Sequence, residues 1–458
     1  MAGGRPAPGR DFGWLWAAYG ASALGTGLAF SAFPLLAITV LHQGAAEVAS
    51  LAAVGAAVGA AVAVPLGPWV ECRRKRSVMI AMDLVRCAAL LSVPVAYALD
   101  RLGLAQLLLV SVVVATADIT FGAAAGACLK ALVRPEAMVT AQARLESTTW
   151  TATVVGPPLG GALIGLLGPV ATVAADAVSY LLSAAGIRAI RGREPRPQRE
   201  KHEKGGRHEK GGRHEKGGRH EKSGRHEKSG RHEKSGRHEK TARLADLVEG
   251  WRHILAHPLL RPLFLHTVLV NGLIMATAPL LAVLMLGPLG FTPWQYGLAF
   301  AVPCVGGLVG ARLAPGLVER FGRHRVLLVA GTLRVCWPVG LVFVRPGVGG
   351  LLLVMAVELA LITCIGVFNP VFAAHRLRVT ETGRVVRTLT AWSVTGKAAT
   401  ASLTALWGLL AGLIGAREAI GLAGVLLLAT PLLLPRHEAG TDPRTDGVRV
   451  LPVGDKVP

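Results

Sequence analysis

Two carboxylates lie inside long apolar stretches of the sequence, where a charge is costly and therefore points to function. Asp118 follows a segment that opens with "LLLV" at Leu107, and Glu358 follows one that opens identically at Leu351. Aligning the segments on these letters puts Glu358 opposite Val114, one helical turn from Asp118 and on the same face. A carboxylate at such depth favours its neutral form, so it can load a proton at one face of a membrane and release it at the other. We predict both as proton-coupling residues; the alternative is a hydrogen-bonded structural acid.

Three further polar groups inside apolar segments are candidates for contacts in a cavity. Lys397 can pair with an acid on another helix or hold an anionic substrate, and the sequence leaves both interpretations open. Asn271 and His266 share one segment and are candidate polar contacts. A lone histidine on a helix is nevertheless more often a packing residue than a proton relay.

Asp83 and Arg86 stand three residues apart in another segment and can pair on one helix face. Arg334 occupies the matching place in a later segment but lacks an acid at that spacing, so it requires a partner elsewhere. Glu146 and Asp176 lie nearer the ends of their segments, where we expect them to reach the interface or bond to neighbouring helices.

A charged repeat fills residues 201–240, where His-Glu-Lys recurs every six residues with Gly-Gly-Arg or Ser-Gly-Arg between the copies. With no apolar face to bury, this tract is expected to be disordered. Its histidines are candidate weak ligands for Zn²⁺, Ni²⁺ or Cu²⁺, but such spacing on a mobile chain is not a preformed site. A solvated linker and a metal-binding tract both stay open. The histidines are His202, His208, His214, His220, His226, His232 and His238.

The composition is that of a membrane protein. The 458-residue chain is 52% hydrophobic and only 17% charged, and its mean hydropathy of +0.48 is too apolar for a soluble globule. The formal charge of +21 would suggest nucleic acid. Outside the repeat, however, the basic residues lie mostly in short gaps between apolar runs, so we expect no nucleic-acid partner.

No catalytic motif accompanies these segments. The sequence has no Walker loop, no nucleophile motif and no paired metal ligands outside the repeat. The six cysteines stand singly, without a disulfide or zinc pattern. We therefore predict no enzymatic activity and no cofactor, with a proton gradient as the energy source.

Runs long enough to span a bilayer recur twelve times. We therefore predict an all-α membrane protein of twelve transmembrane helices in two six-helix bundles. The predicted units are a tail (1–12), a bundle (13–190), a linker holding the repeat (191–259), a second bundle (260–435) and a tail (436–458). The predicted crossings are 13–41, 46–70, 77–98, 104–133, 140–167, 169–190, 260–287, 292–318, 324–344, 347–375, 386–415 and 416–435.

Alternate gaps between the crossings are rich in basic residues, which the positive-inside rule assigns to the cytosol. Both termini are then expected in the cytosol as well. The basic residues assigned to cytosolic gaps are Arg73, Arg74, Lys75, Arg76, Lys130, Arg134, Arg320, Arg323, Arg325, Arg376, Arg378, Arg384 and Arg387.

Two basic turns repeat between the halves. "GPWVECRRKRSVMI" follows the second crossing, and "PGLVERFGRHRVLL" follows the eighth. An acid and bases at such a turn can bond across the halves in one conformation and release in another; the alternative is that they only set topology. The residues predicted to act in this switch are Gly67, Glu71, Arg73, Lys75, Arg76, Asp83, Arg86, Glu319, Arg320, Gly322, Arg323, Arg325 and Arg334.

These turns resemble the major facilitator superfamily, whose motif after the second helix is Gly-x-x-x-Asp-Arg-x-Gly-x-Arg-Arg. Gly67 and Glu71 match its first landmarks, whereas Cys72 and Arg74 stand where Arg and Gly are usual. The resemblance extends over the chain outside the repeat and tails. It implies alternating access around a cavity lined by the first, fourth, seventh and tenth helices.

A second motif, "GPPLGG" in the fifth crossing, resembles the Gly-Pro-x-x-Gly-Gly of the superfamily's antiporters. Its residues are Gly156, Pro157, Gly160 and Gly161, with Ala152 where a further glycine is usual. Proline removes a helix hydrogen bond and glycine lets a neighbouring helix approach. The eleventh crossing carries "SLTALWG" instead. With "MIAMDLVR" and "ADAVSYLLSA", the motif resembles the macrolide-efflux and siderophore-exporter branch, which implies a bacterial inner membrane.

The sequence thus predicts a monomeric, proton-coupled exporter of an amphipathic small molecule such as a drug, antibiotic or secondary metabolite. Two alternatives stay open: a metal-responsive or metal-exporting carrier that uses the histidine tract, and a transporter-like sensor.

Overall fold

The computed structural model describes residues 9–29, 32–41, 45–191 and 248–434. Every regular element in these ranges is helical, which confirms the predicted all-α architecture. The repeat at 201–240 with its histidines, most of the predicted linker and the tail at 436–458 lie outside the described residues. We refer to residues 9–191 as the first half and to 248–434 as the second half.

Six helices form the first half, and each is built from an apolar run that lacks the charges needed to face water. The last of them, α6, is broken at Gly168, whose φ of 83° is non-helical and which Pro169 follows. This break separates the fifth and sixth predicted crossings. The helices are α1 (Arg10–Leu28), α2 (Ala32–Thr39), α3 (Ala45–Glu71), α4 (Lys75–Ala98), α5 (Leu104–Leu132) and α6 (Met138–Arg188).

The second half begins with a short helix, α7, at residues 248–256. The crossings that follow end in the gaps predicted from the sequence, and the ninth finishes as a 3-10 turn, Pro338–Phe343. The helices are α8 (Leu260–Leu286), α9 (Pro293–Ala301), α10 (Cys304–Phe321), α11 (Arg323–Cys336), α12 (Val348–Val379), α13 (Val385–Ile414) and α14 (Ala416–Ala429).

Helices cover the described residues of each predicted crossing, and ten of the twelve crossings lie in stretches long and apolar enough to span a membrane. Nine helical stretches in the described ranges are long and apolar enough to cross a membrane, and one of them, Pro135–Arg188, holds the two crossings that meet at Gly168. The first and second crossings correspond to α1 with α2 and to α3. The first and eighth differ from expectation because each consists of two successive helices, α1 with α2 and α9 with α10.

The two halves share one core at one end of the molecule. There Val70 and Leu129 of the first half belong to the same buried cluster as Leu377 and Trp392 of the second. This end also carries both basic turns and is called the basic end.

At the other end, called the opposite end, each half has a separate core. Leu36 and Val173 belong to a cluster formed by the first half alone, and Leu281 and Ile420 to one formed by the second half alone. The halves are therefore joined at the basic end and separated toward the opposite end.

Candidate functional site

A cavity of about 810 Å³ lies where the halves meet, a size that suits a small organic molecule. Helices α1, α4, α5 and α6 of the first half line it along its depth. The second half contributes only residues 373–377 of α12 and 389–393 of α13, which are close to the basic end. The cavity is thus closed by both halves at the basic end and opens toward the opposite end.

Asp118 stands midway along α5, lines the cavity and joins charges from both halves. Its Oδ2 lies 3.9 Å from Lys397 Nζ on α13, and its Oδ1 lies 3.7 Å from an Arg86 nitrogen on α4. Its side chain is 59% exposed, so water in the cavity reaches it. Of the two interpretations for Lys397, the contact corresponds to pairing with an acid on another helix, here Asp118 of the other half.

The charged network continues from the cavity into the dry core of the first half. Arg86 also donates to Asp83 Oδ1 at 2.8 Å, and both side chains are buried. The guanidinium lies against the rings of Phe121 and Tyr180, 4.6 and 4.4 Å from their centroids. Two acids and two rings therefore hold Arg86 at a depth where an unpaired cation would cost several kcal/mol.

A second cross-half contact lies beside the cavity: Glu146 bonds to a neighbouring helix, one of the two outcomes expected from the sequence, although its partner was not predicted. Glu146 on α6 accepts a hydrogen bond of 2.8 Å from Asn369 of α12 and one of 3.1 Å from Trp150. The indole of Trp150 packs against Gly307 of α10, where no side chain obstructs it. An asparagine beside a proline in an apolar helix, the "NP" at 369–370, is the sequence signal that could have identified this site.

Arg376 was assigned from the sequence to a cytosolic gap, but the structure places it inside α12 as a lining residue of the cavity. The helix runs to Val379, so the apolar stretch ends before the helix does. The guanidinium lies 5.0 Å from the ring centroid of Trp392 and 5.3 Å from that of Phe372. Arg376 is therefore a functional candidate that charge counting missed.

The structure does not bring Glu358 to Asp118. Glu358 is only 9% exposed on α12, within electrostatic reach of Tyr296 and Cys304, and it is absent from the cavity lining. The alignment on "LLLV" gave the depth of Glu358, but it did not reveal which neighbouring helix its face would meet.

His266 and Asn271 do not line the cavity either. His266 is fully buried, and its Nδ1 lies 3.1 Å from the carbonyl oxygen of Thr430, so it packs within the second half. Asn271 is exposed. Arg334 is buried with no acid beside it among the described residues, and its guanidinium lies 3.7 Å from the ring centroid of Phe368.

The first basic turn is bonded across the halves. Glu71 Oε2 lies 2.5 Å from Arg387 Nε, and Glu71 Oε1 accepts from the Arg387 backbone N–H at 3.1 Å. Arg387 also pairs with Glu249 of α7, which is 3.5 Å from Arg384. Gly67 faces Thr390 and Arg387 at this contact, where an added Cβ would meet them only at ordinary van der Waals distances of 3.6 and 3.9 Å. We call Glu71, Glu249, Arg384 and Arg387 the basic-end lock.

Other residues of this turn hold the backbone. Lys75 donates to the carbonyls of Val70, Glu71 and Arg73 at 2.7 to 3.0 Å, which satisfies the exposed end of α3. Arg76 donates to the Ile190 carbonyl at 3.0 Å.

The second basic turn differs from the first. Glu319, Arg320, Gly322 and Arg325 are exposed, and Arg323 is half-buried. Gly322 has a φ of 80°, a left-handed conformation that explains why glycine ends α10. The structure thus gives the two copies of the motif different surroundings.

The GPPLGG residues form the contact between α6 and α1. A Cβ added at Gly156 would lie 2.8 Å from the backbone of Gly27, and one at Gly160 would meet the Leu28 carbonyl. Pro157 lines the cavity, and Gly161 has open space beside it. The close approach falls at the end of α1.

No cluster of three or more His, Cys, Asp or Glu side chains suited to a metal ion occurs in the described ranges. The histidine tract lies outside them.

Membrane-crossing helices in two halves, joined at one end around a charged cavity, define a membrane carrier rather than an enzyme. Residues 15–386 match the Major Facilitator Superfamily, and the chain belongs to this family. It is therefore a multi-pass membrane transporter. No curated protein matches the sequence.

Solved structures with the same fold are distant in sequence. A bacterial homologue of the iron transporter ferroportin, in an outward-facing state, has a TM-score of 0.72 at 15% identity, covering 93% of this chain and 98% of that one. The human organic anion transporter MFSD10 (TETRAN) gives 0.69 at 15% identity, covering 94% and 100%. The E. coli fucose:proton symporter gives 0.62 at 12% identity, covering 93% and 98%. At these identities the likeness concerns the fold.

Proposed function

We propose that this transporter exports an amphipathic small molecule in exchange for protons. The observation that carries the proposal is the position of Asp118, a water-accessible carboxylate in the cavity that pairs with Lys397 of the other half. A group that can be neutralised by one proton and that also joins the halves can couple protonation to their relative movement.

The coupling step follows from the charges. When Asp118 takes a proton onto a carboxylate oxygen, it loses its attraction for Lys397 and Arg86. Arg86 keeps Asp83 as a partner at 2.8 Å, whereas Lys397 is released to face the cavity. Loss of the proton restores the cross-half pair, so the two protonation states favour different arrangements of the halves.

The basic-end lock supplies the other step of the transport cycle. The Glu71–Arg387 pair holds the halves together where the cavity is closed, and Glu249 of the second half braces Arg387. The Glu71–Arg387 pair must therefore separate before the cavity opens at the basic end. The positive-inside rule places that end in the cytosol. The cavity then faces the exterior in this structure, and cytosolic access requires the lock to open.

Three features support export through a bacterial inner membrane. The GPPLGG contact between α6 and α1 resembles that of antiporters, and the motifs in the third and sixth crossings resemble macrolide and siderophore exporters. A largely apolar cavity with a few charges suits an amphipathic molecule. We propose that the protein acts as a monomer with both termini in the cytosol.

Transport into proteoliposomes that hold the protein in the inside-out orientation tests the function. A panel of antibiotics and siderophores is offered with and without an imposed pH gradient, and uptake of at least one compound should require the gradient. Asp118→Asn should abolish the gradient-dependent part, because amide and carboxylic acid are both neutral. The control is Asp100→Asn, since Asp100 is exposed at the opposite end. Gradient-dependent uptake that survives in Asp118→Asn would remove Asp118 as the coupling group.

A further inference from the structure

Among the residues that the structure describes, Arg376 is a cation of the cavity with no acidic partner. Its Nε is buried and has no hydrogen-bond partner, and no ion pair to Arg376 occurs within the described ranges. Phe372 and Trp392 flank the guanidinium at 5.3 and 5.0 Å. The rings fix its position, but they neutralise only a small part of its charge.

The other cations near the cavity are matched by acids. Arg86 has Asp83 and Asp118, and Lys397 has Asp118. At the basic-end lock, Arg387 has Glu71 and Glu249. An unpaired guanidinium in a partly dry site is costly, and lining the cavity places this charge where a ligand can reach it.

We infer that Arg376 binds the carboxylate of an amphipathic substrate whose apolar or aromatic body rests in the same part of the cavity. The inference rests on the proposed transport function and names its substrate class. A guanidinium held by flanking rings keeps N–H groups available for the two oxygens of a carboxylate, which it recognises in a bidentate manner. Leu377, Leu389 and Trp392 provide apolar surface beside it.

A position in the last turn of a helix gives any arginine a favourable interaction with the helix carbonyls. This explanation applies equally to Arg378, which shares the end of α12 but is exposed and absent from the cavity lining. The two residues therefore form a matched pair: both carry charge at one helix end, and only Arg376 reaches the cavity.

Binding of three probes with one aromatic body tests the inference. The full chain, in nanodiscs of zwitterionic phosphatidylcholine, is titrated with 1-pyrenebutyrate, its neutral amide and 1-pyrenebutylamine, and binding is read from energy transfer between tryptophan and pyrene. The anion should bind saturably and more tightly than the other two probes. Arg376→Gln should weaken it roughly 10- to 100-fold, Arg376→Lys should retain part of the affinity, and Arg378→Gln should match the wild type.

Equal binding of the three probes by the wild type, no saturable binding of the anion, or unchanged affinity in Arg376→Gln would each overturn the inference. Elution of every variant as a single species shows that the fold is kept. A flux measurement separates this inference from the transport proposal. If the cationic probe alone is exported with the gradient, the transport proposal stands and the inferred anionic substrate class is wrong. If the anion binds through Arg376 but no probe is transported, the anion-binding inference stands and the transport proposal is wrong.

Discussion

Arg86 of α4 and Arg334 of α11 stand at matching places in the two halves, yet their surroundings differ. Arg86 bonds to Asp83 and reaches Asp118, whose exposed side chain lines the cavity. Arg334 lies against Phe368. Within the part of the chain that the structure describes, it has no acid beside it, and two of its buried guanidinium nitrogens have no hydrogen-bond partner. The duplicated scaffold thus keeps the position of the charge while its surroundings diverge: Arg86 belongs to an ionic network, and Arg334 lies in a drier, apolar site.

The largest expected difference between the halves concerns stability. Arg86→Met leaves the buried Asp83 without its partner, so the free energy of unfolding should fall by about 3–5 kcal/mol. Arg334→Met removes a buried charge that has no acid to leave behind, so stability should stay the same or rise. Thermal unfolding of the purified variants in detergent, followed by tryptophan fluorescence, measures both.

A double variant supplies the control for this prediction. Asp83→Asn with Arg86→Met should recover part of the loss seen in Arg86→Met alone, because no uncompensated acid remains. If Arg334→Met proved as damaging as Arg86→Met, the proposed contrast between an ionic site at Arg86 and a dry site at Arg334 would be wrong.

A smaller effect is expected at the two copies of the basic turn. Glu71→Gln weakens the pair with Arg387, which is largely buried, and should shift the equilibrium toward an open basic end by about 2 kcal/mol, a factor of about 30. Glu319→Gln, in the exposed second copy, should shift it much less. The readout is maleimide labelling of a cysteine placed at Ser393, which lines the cavity, from the side of the basic end and in a background without the native cysteines. Equal labelling of the two variants would contradict the asymmetry.

The sequence predicted the fold well because an apolar run of about 20 residues forms a membrane-spanning helix, one of the few structures that satisfy the backbone hydrogen bonds within a bilayer. It gave the crossings, and the paired turns indicated the superfamily to which the chain belongs. Side-chain positions were harder to infer. The resemblance to the superfamily implied that the helix of Asp118 lines a cavity, and Asp118 does line it. Glu358 was matched to it by rotation of α12 against α5; it lies buried outside that lining, and its role stays a prediction.

Arg376 shows a second reason for such misses. A basic residue near the end of an apolar run is ordinarily assigned to the interface. Here α12 continues to Val379, and the halves close over its last turns, so Arg376 lies in the cavity. Contacts such as Glu146 with Asn369 join residues 223 positions apart, and no local pattern in a single sequence encodes them.

The smallest expected contrast between the halves lies in their glycines. In the first half, Gly156→Ala would bring a Cβ to 2.8 Å from the Gly27 backbone. Because the contact is with backbone atoms, it can be relieved only if α6 moves away from α1. We expect a loss of about 1–2 kcal/mol from such overpacking. Gly408, in the "SLTALWG" segment that replaces the motif in α13, has no atom within 4 Å of an added Cβ. Gly408→Ala should therefore be neutral or slightly stabilising, by up to about 1 kcal/mol, because alanine favours the helix.

Unfolding temperatures distinguish the two variants, and gradient-driven flux shows whether the α6–α1 contact serves transport. Gly156→Ala should slow the flux, whereas Gly408→Ala should not. Equal flux in both variants would reduce the GPPLGG contact to ordinary helix packing and would remove one of the supports for export.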